Sequence, residues 1–410
     1  MTWLLLVLHI ALIAAFGLRI LLRNDLRSDV RMGWLVVIVL LPYASCVLYY
    51  LFGEVALGRG GSRPRPSVRD FMQARAGRHA LPSTGTGPHT GVPPATAPLP
   101  PAITADAWRH CIAPPWQPAF AYATSVNGFL PHTGHEAELM ADGATARARM
   151  LQDMDGAQHE IHVLYYIWLA DATGTAVAQA LIRAAQRGLT CRAMVDGLGS
   201  HALQHSALWR DMAAAGVQLA VALPIAHPLK VLLTSRIDLR NHRKITLIDG
   251  RITYCGSQNC ADEAFLVKAR FAPWVDIMLR MHGPVVGQLQ WVFACDWEQA
   301  GGAAFTPAPA AHTAAPPIRA LDPAAPPAGF AALALAEGPS ERTRSTPHLV
   351  STLLASAQRE VVITTPYFVP DATVLEALCA AAWRGVQVTL VLPARNDSWI
   401  VGAASRSSHH

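Results

Sequence analysis

The chain has 410 residues, of which 52% are hydrophobic and only 15% charged, with a formal net charge of +5 at pH 7. That much apolar side chain excludes disorder along the whole length, and the length excludes a disulfide-stapled miniprotein while leaving room for two or three domains at ~150 residues each. The seven cysteines (46, 111, 191, 255, 260, 295 and 379) form no C-x-x-C pair, which argues against a disulfide framework or structural zinc and for a reducing compartment.

The first element is apolar. Trp3 to Leu22 runs for 20 residues, broken only by His9 and Arg19, and Trp34 to Phe52 runs for 19. At 1.5 Å per residue each can cross a ~30 Å hydrocarbon core. Trp3, Trp34, Tyr49 and Tyr50 sit near the ends, as interfacial aromatics do. Residues 1–53 therefore read as a transmembrane helical hairpin, with two buried core helices as the alternative. A cleaved signal peptide fits poorly, because no Lys or Arg precedes the first run. Arg23, Arg27 and Arg31 lie between the runs. Arg59, Arg63, Arg65, Arg69, Arg75 and Arg78 follow them, which places both ends in the cytoplasm. Residues 54–118 are rich in Gly, Pro and Ala and read as a flexible linker.

Residues 119–300 show α/β alternation. Glu160 to Trp168 reads as a buried strand, Ala176 to Arg187 as a helix ended by Gly188, and Leu189 to Val195 as the next strand. Further on, residues 243–248 and 251–255 are β-formers joined by Asp249-Gly250, a strong hairpin-turn signal. With a two-residue turn, Ile248 pairs with Arg251, Lys244 lies opposite Cys255, and His242 lies opposite Ser257. The hairpin then gathers an imidazole, an ammonium and a hydroxyl, with the Asn259 amide just beyond. A His nucleophile, a cation and neutral donors around an anionic oxygen suit phosphoryl transfer. The bland alternative is a surface hairpin with an incidental His and Lys.

A second Ala/Pro-rich linker covers 301–335. Residues 336–410 then repeat the earlier order. Ala157-Gln158-His159-Glu160 matches Ala357-Gln358-Arg359-Glu360, and Asp171-Ala172-Thr173 matches Asp371-Ala372-Thr373 at the same offset of 200. Arg187-Gly188 matches Arg384-Gly385. Three matches in order indicate an internal duplication. The last strand, Val386 to Leu392, is expected to lack partners. Other features read blandly. His132, His135, His159 and His162 are surface or strand residues, Cys255 and Cys260 are small buried residues, and Asp196-Gly197-Leu198-Gly199-Ser200 is a strand-end turn near the site.

His242-x-Lys244-x4-Asp249 followed by Gly256-Ser257-x-Asn259 resembles the HKD motif of the phospholipase D superfamily, and within it the bacterial cardiolipin synthases. Tyr165-Tyr166-Ile167-Trp168, Pro273-Trp274-Val275-Asp276, Thr364 to Asp371 and Pro393 to Ser398 share that resemblance. It implies a phospholipase D-like α/β/α sandwich after the membrane hairpin, with one complete lobe and one incomplete repeat. It implies His242, Lys244, Asp249 and Asp276 as catalytic residues. His242 would form a phosphohistidine, Asp276 would accept a hydrogen bond from its ring, and Asp249 would brace the hairpin. Lys244, Ser257 and Asn259 would bind phosphate. The family needs no metal or other cofactor, joins two phosphatidylglycerols into cardiolipin with release of glycerol, and sits as a multi-pass protein in the bacterial inner membrane.

Family members carry two HKD motifs that build one site, and this sequence holds one. The expectation is a chain cut short of its second motif and inactive alone. A homodimer with paired His242 residues and a lipid-binding relic are the alternatives. A phospholipase D-like hydrolase and a nuclease are the runner-up activities. No nucleic-acid partner is expected, because the basic charge is modest.

Overall fold

The computed structural model describes residues 2–23, 26, 28–53, 65–79, 107–225, 239–264, 270–307 and 329–407. The chain falls into two units, Met1–Arg65 with Ile225–Leu239, and Pro66–Pro224 with Arg240–His410. Parts of both expected linkers, 54–64, 80–106 and 308–328, lie outside the described residues.

In the first unit the opening apolar run folds as α1 (Thr2–Leu21). The second run, expected as one span over 34–52, is instead two helices, α2 (Ser28–Leu40) and α3 (Pro42–Phe52). Pro42 causes the break. It has no N–H to donate into the preceding turn, its ring crowds the carbonyl four residues back, and it suits the start of a new helix. At 1.5 Å per residue, the 13 and 11 residues of α2 and α3 reach only ~20 and ~17 Å. Among the described residues, no helix is long and apolar enough to cross a membrane. The three helices share a small core of Ile20, Ile38, Cys46 and Tyr49. Other apolar side chains, including Val7, Ile10, Leu18, Val39 and Leu40, face outward.

The second unit is built around an eight-stranded sheet. Its elements in chain order are α4 (Val68–His79), α5 (Gln117–Asn127), β1 (His132–Leu139), α6 (Gly143–Asp155), β2 (Glu160–Tyr165), α7 (Ala172–Gln186) and β3 (Thr190–Asp196). Then come α8 (His201–Gln204), α9 (Ala207–Ala214), β4 (Gln218–Ala222), β5 (Ile245–Ile248), β6 (Ile252–Gly256), β7 (Met278–His282), α10 (Val285–Gln299) and β8 (Phe330–Ala332). The strand order is β4-β3-β2-β5-β6-β7-β1-β8. β2, β3 and β4 are parallel, as the helical crossovers between them require, and the remaining pairs are antiparallel.

Side chains alternate between the two faces of the sheet. Ile161, Val163 and Tyr165 of β2 pack with Met150 and Met154 of α6 and Val177 and Leu181 of α7. Leu164 faces the other way, against a core that includes Phe293 and Trp297 of α10 and Val68 and Phe71 of α4. The result is an α/β/α sandwich. Two of its elements fall inside stretches read as linker. Helix α4 buries Val68 and sets Phe71 against Trp291, and β8 pairs with β1. Each element holds at most three large apolar side chains, too few to show a period, and its order comes from surfaces supplied by distant parts of the chain.

The repeat folds as a second strand–helix–strand unit: α11 (Ser345–Ser356), β9 (Glu360–Thr364), α12 (Ala372–Trp383), β10 (Gln387–Val391) and finally α13 (Trp399–Ser407). β9 and β10 pair in parallel, as β2 and β3 do. Asp171 and Asp371 cap α7 and α12, accepting from Gly174 N–H and Thr373 N–H. Gly188 and Gly385 leave those helices with φ of +89° and +85°, a conformation that suits glycine. Among the described residues β9 and β10 have no further sheet partners.

Candidate active site

The C-terminal ends of β2, β3 and β6 and the N-terminal ends of β5 and β7 meet at one end of the sheet. The sequence-predicted residues His242, Lys244, Ser257, Asn259 and Asp276 all lie there, in the segments that enter or leave those strands.

Asp249 does not. It sits at the far end of β5, about 23 Å along an extended chain from His242. Its carboxylate accepts the backbone N–H groups of Gln158, His159 and Glu160 at 2.8, 2.7 and 3.0 Å. The turn is thereby tied to the start of β2, which is a bracing role. Asp249 and Gly250 take left-handed φ values of +53° and +61°, as an Asp-Gly hairpin turn requires. The loop nevertheless includes Arg251, because Ile248 pairs with Ile252. The register therefore differs by one residue from the expected one. Ile245, not Lys244, lies opposite Cys255, and His242 is not paired with Ser257.

His242 and Lys244 precede β5 in a lead-in without regular structure. Asn241 and Arg243 point inward. Asn241 Nδ2 donates to Asp296 of α10 at 2.9 Å, and Arg243 Nη1 donates to the same carboxylate at 2.5 and 2.6 Å. Arg243 also lies 3.8 Å from the buried Glu341, which accepts Val68 N–H at 3.1 Å and Asn127 Nδ2 at 2.8 Å. Asp196, fully buried at the end of β3, accepts Arg240 Nε at 3.0 Å and Asn241 N–H at 3.2 Å. With its neighbours anchored inside, His242 turns outward.

The His242 ring stacks on Tyr166, with centroids 3.7 Å apart and planes 22° from parallel. Lys244 Nζ donates to the His242 carbonyl at 2.7 Å and lies 5.4 Å from the Tyr166 ring centre. Asn259 Oδ1 accepts Ile167 N–H at 3.2 Å, so the oxygen is held by the chain after β2. Ser257 Oγ donates to Asp276 Oδ1 at 2.6 Å and accepts Ile277 N–H at 3.0 Å. Asp276 was expected to accept from the His242 ring. Among the described residues that bond is absent, because the backbone pairing of Ser257 with Ile277 brings the hydroxyl to Asp276 first.

The electrostatics favour a neutral imidazole. Loss of water on its covered side, then the charges of Lys244 and Arg240, hold the His242 pKa below its ordinary value, against an upward pull from Asp196. Burial lowers Lys244 to about 8, with Asp276 opposing. At neutral pH the arrangement offers an uncharged nucleophilic ring beside a cation that is mostly protonated.

Tyr166, Asp196, Arg240, Asn241, Arg243, Asp296 and Glu341 belong to the site through the fold and not through a motif of the sequence. Some signals were present. Asn241 and Arg243 alternate with His242 and Lys244, and Asp196 is an acid ending an apolar strand. Asp296 is an acid inside a largely apolar helix. Glu341 carried no signal. The four histidines read as surface or strand residues include two fully buried ones: His135 bonds Phe330 O and Val285 N–H, and His162 stacks on Phe293.

Comparison with known proteins gives sequence matches along most of the chain. The family model for the cardiolipin synthase, phospholipase D-like domain matches residues 150–297 and 350–410, and that for the phospholipase D-nuclease N-terminal segment matches 3–54. Cardiolipin synthase A of Citrobacter koseri is 32% identical over 412 residues, covering 99% of this chain and 77% of that protein. The Escherichia coli O157:H7 protein of the same name gives the same figures. A solved phosphatidylserine synthase from Haemophilus influenzae overlaps 71% of each chain at 14% identity with a TM-score of 0.46. The sequence matches, not this loose overlap, carry the assignment.

Proposed function

The chain belongs to the cardiolipin synthase family of phospholipase D-like proteins, and on that basis we propose that His242 is the nucleophile of a phosphatidyl transfer between two phosphatidylglycerols. The neutral imidazole attacks phosphorus, and the bond to the glycerol oxygen breaks. The leaving oxygen takes a proton, freeing glycerol and leaving phosphatidyl-His242. A hydroxyl of a second phosphatidylglycerol then attacks that phosphorus, loses its proton and releases His242, giving cardiolipin.

Lys244, Ser257 and Asn259 supply one positive charge and two neutral donors to the phosphate oxygens. Ser257 leaves the Asp276 carboxylate to do so. Asp276 holds the hydroxyl ready and offsets the Lys244 charge. Asp249 acts only as the brace of the hairpin. The observation that carries this reading is the outward-facing His242 with Lys244 tied to its own carbonyl, at the sheet end that also presents Ser257 and Asn259.

Residues 1–410 hold one HKD motif. The proton for the leaving glycerol then comes from a second histidine of the same kind, which another copy of the chain can bring. A lone monomer of residues 1–410, without that proton donor, is expected to be inactive. We assign residues 1–53 to the bacterial inner membrane, with the second unit on the cytoplasmic side. The N-terminal family match, the outward apolar side chains and the arginine distribution support that placement. Leu198, Val275 (96% exposed) and Ile277 are open apolar side chains at the site end of the sheet and suit acyl chains.

The test is to incubate the purified full chain with phosphatidylglycerol vesicles and search peptides by mass spectrometry for phosphatidyl-His242. His242→Ala should remove both the adduct and any cardiolipin formed. Cardiolipin made by His242→Ala would sink the nucleophile assignment.

A further inference from the structure

We propose that Tyr166 is the positioning residue of the site: wedged between the turn at Gly199 and the nucleophile, its ring fixes the plane of the His242 imidazole. The proposal rests on the reading of His242 as nucleophile. Among the described residues the His242 ring makes no hydrogen bond, and none of their carboxylates or carbonyls orients it. What touches its face is Tyr166, at 3.7 Å between centroids and 22° between planes. The neighbouring Tyr165 points the other way into the core and bonds Thr246 Oγ1 at 2.9 Å. Strand alternation thus gives one tyrosine to packing and the next to the site.

Tyr166 is itself held from behind. Gly199 has no side chain because none fits: a Cβ there would lie 2.3 Å from Tyr166 O and 3.0 Å from its ring carbon Cε2. Ser200 Oγ donates to Tyr166 O at 2.9 Å and accepts Trp168 N–H at 2.9 Å. One buried carboxylate joins the two walls. Asp196 accepts Leu198 N–H and Gly199 N–H at 2.8 and 3.2 Å on the Tyr166 side, and Arg240 Nε and Asn241 N–H on the His242 side. The gap between turn and nucleophile is therefore set, and the Tyr166 ring fills it. This gives a role to the Asp196–Ser200 turn, which carries no phosphate-binding glycine spacing.

The stack has a chemical consequence. The lone pair of an imidazole nitrogen lies in the ring plane, so a ring covered on its face stays free to attack through its edge. Rotation about the side-chain bond would break the stack, so one nitrogen is kept toward the phosphate. Lys244 Nζ, 5.4 Å from the centre of the same tyrosine ring, is steered by its face. Tyr166 thereby sets the nucleophile and the phosphate cation relative to each other.

The experiment follows His242 itself rather than turnover. Full-length chain in phosphatidylglycerol vesicles is treated with diethyl pyrocarbonate at a series of values between about pH 5 and 8, where imidazole titrates, and His242 modification is read by peptide mass spectrometry. Tyr166→Leu should modify several-fold faster than the parent, with the apparent pKa of His242 moved up toward that of a free imidazole as water returns. Tyr166→Phe keeps the ring and should match the parent. Gly199→Ala should behave like Tyr166→Leu, since it pushes the tyrosine off its seat. His135 and His162, both fully buried, should stay unmodified and so report folding in each variant. Should Tyr166→Leu unmask them, Gly199→Ala against Tyr166→Phe decides the matter. Unchanged rate and pKa in the folded variants would overturn the proposal, as would Tyr166→Phe behaving like Tyr166→Leu. Failure of the nucleophile assignment would appear instead as turnover surviving His242→Ala, whatever the modification rates.

Discussion

The first and second copies of the repeat start from the same local rules and end in different states. Both run strand, Asp-capped helix, Gly exit and parallel strand. In the first copy β2 has β3 on one edge and β5 on the other, with helices on both faces, and it is buried almost throughout. In the second copy β9 and β10 pair with each other, and Val362 (58%) and Leu390 (37%) stay open to solvent. A βαβ unit thus forms from local signals, whereas burial needs neighbours from elsewhere in the chain. The site follows the neighbours. His242 and Lys244 arrive on the segment leading into β5, the strand that pairs with β2, and the residues beside them reach Asp196 at the end of β3 and Asp296 on α10.

The sharpest way to break the comparison is to remove the anchor that only the first copy has. Asp196→Ala leaves Arg240 buried without its partner, and losing one member of such a pair costs roughly 3–5 kcal/mol. In denaturant titration the first lobe should lose stability by that amount. A loss under ~1 kcal/mol, the scale of an exposed pair, would mean that Arg240 finds solvent.

Next come the matching leucines of the two crossover helices. Leu181 is completely buried in a large cluster, and Leu378 is buried in a much smaller one whose other members are mostly only partly buried. Leu→Ala in a core costs about 2–5 kcal/mol, depending on how far the site can collapse. Leu181→Ala belongs at the top of that range and Leu378→Ala at or below the bottom. Equal losses in thermal unfolding would mean that the second copy is as well packed as the first.

The site adds a pH signature that the second copy does not share. Lys244 titrates at about 8, so its charge is present below that pH and is lost above it. Burial and the neighbouring Lys244 charge hold the His242 pKa below the ordinary imidazole range, so its ring stays neutral into mildly acidic solution. Formation of the His242 adduct should therefore fall above about pH 8, by up to tenfold per unit, equal to ~1.4 kcal/mol. In Lys244→Arg that alkaline fall should vanish, because guanidinium keeps its proton. Persistence of the fall would assign it to another group.

The smallest effect tests where the copies agree. Asp171→Ala and Asp371→Ala each remove a helix N-cap, at about 1 kcal/mol, together with one further partner, Asp262 N–H for Asp171 and the part-exposed Arg344 for Asp371. The two losses should be alike in chemical denaturation although the strands differ in burial. A large gap between them would show that capping itself depends on tertiary surroundings.

Much of the site was legible because the signals are short-range. Asp-Gly asks for left-handed φ, apolar runs ask for burial, and alternation sends His242 and Lys244 to one side with Asn241 and Arg243 to the other. Those rules state which face a side chain takes but not which partner it meets there. Arg251 entered the hairpin loop and moved the register by one. Asp276 paired with Ser257 instead of the His242 ring. The helix break at Pro42 was readable in principle, yet the apolar run around it concealed the proline.

By itself the sequence determined the repeated strand–helix–strand unit, the caps and exits of its helices and the hairpin turn. Each depends on the backbone and on residues a few positions away. Tertiary structure alone decided that Tyr166 stacks on His242, that Asp196 holds both walls of that stack, and that Asp296 and Glu341 anchor Arg243. Those contacts join residues tens to hundreds of positions apart, and their distances come from strand order and loop length, which no local pattern encodes.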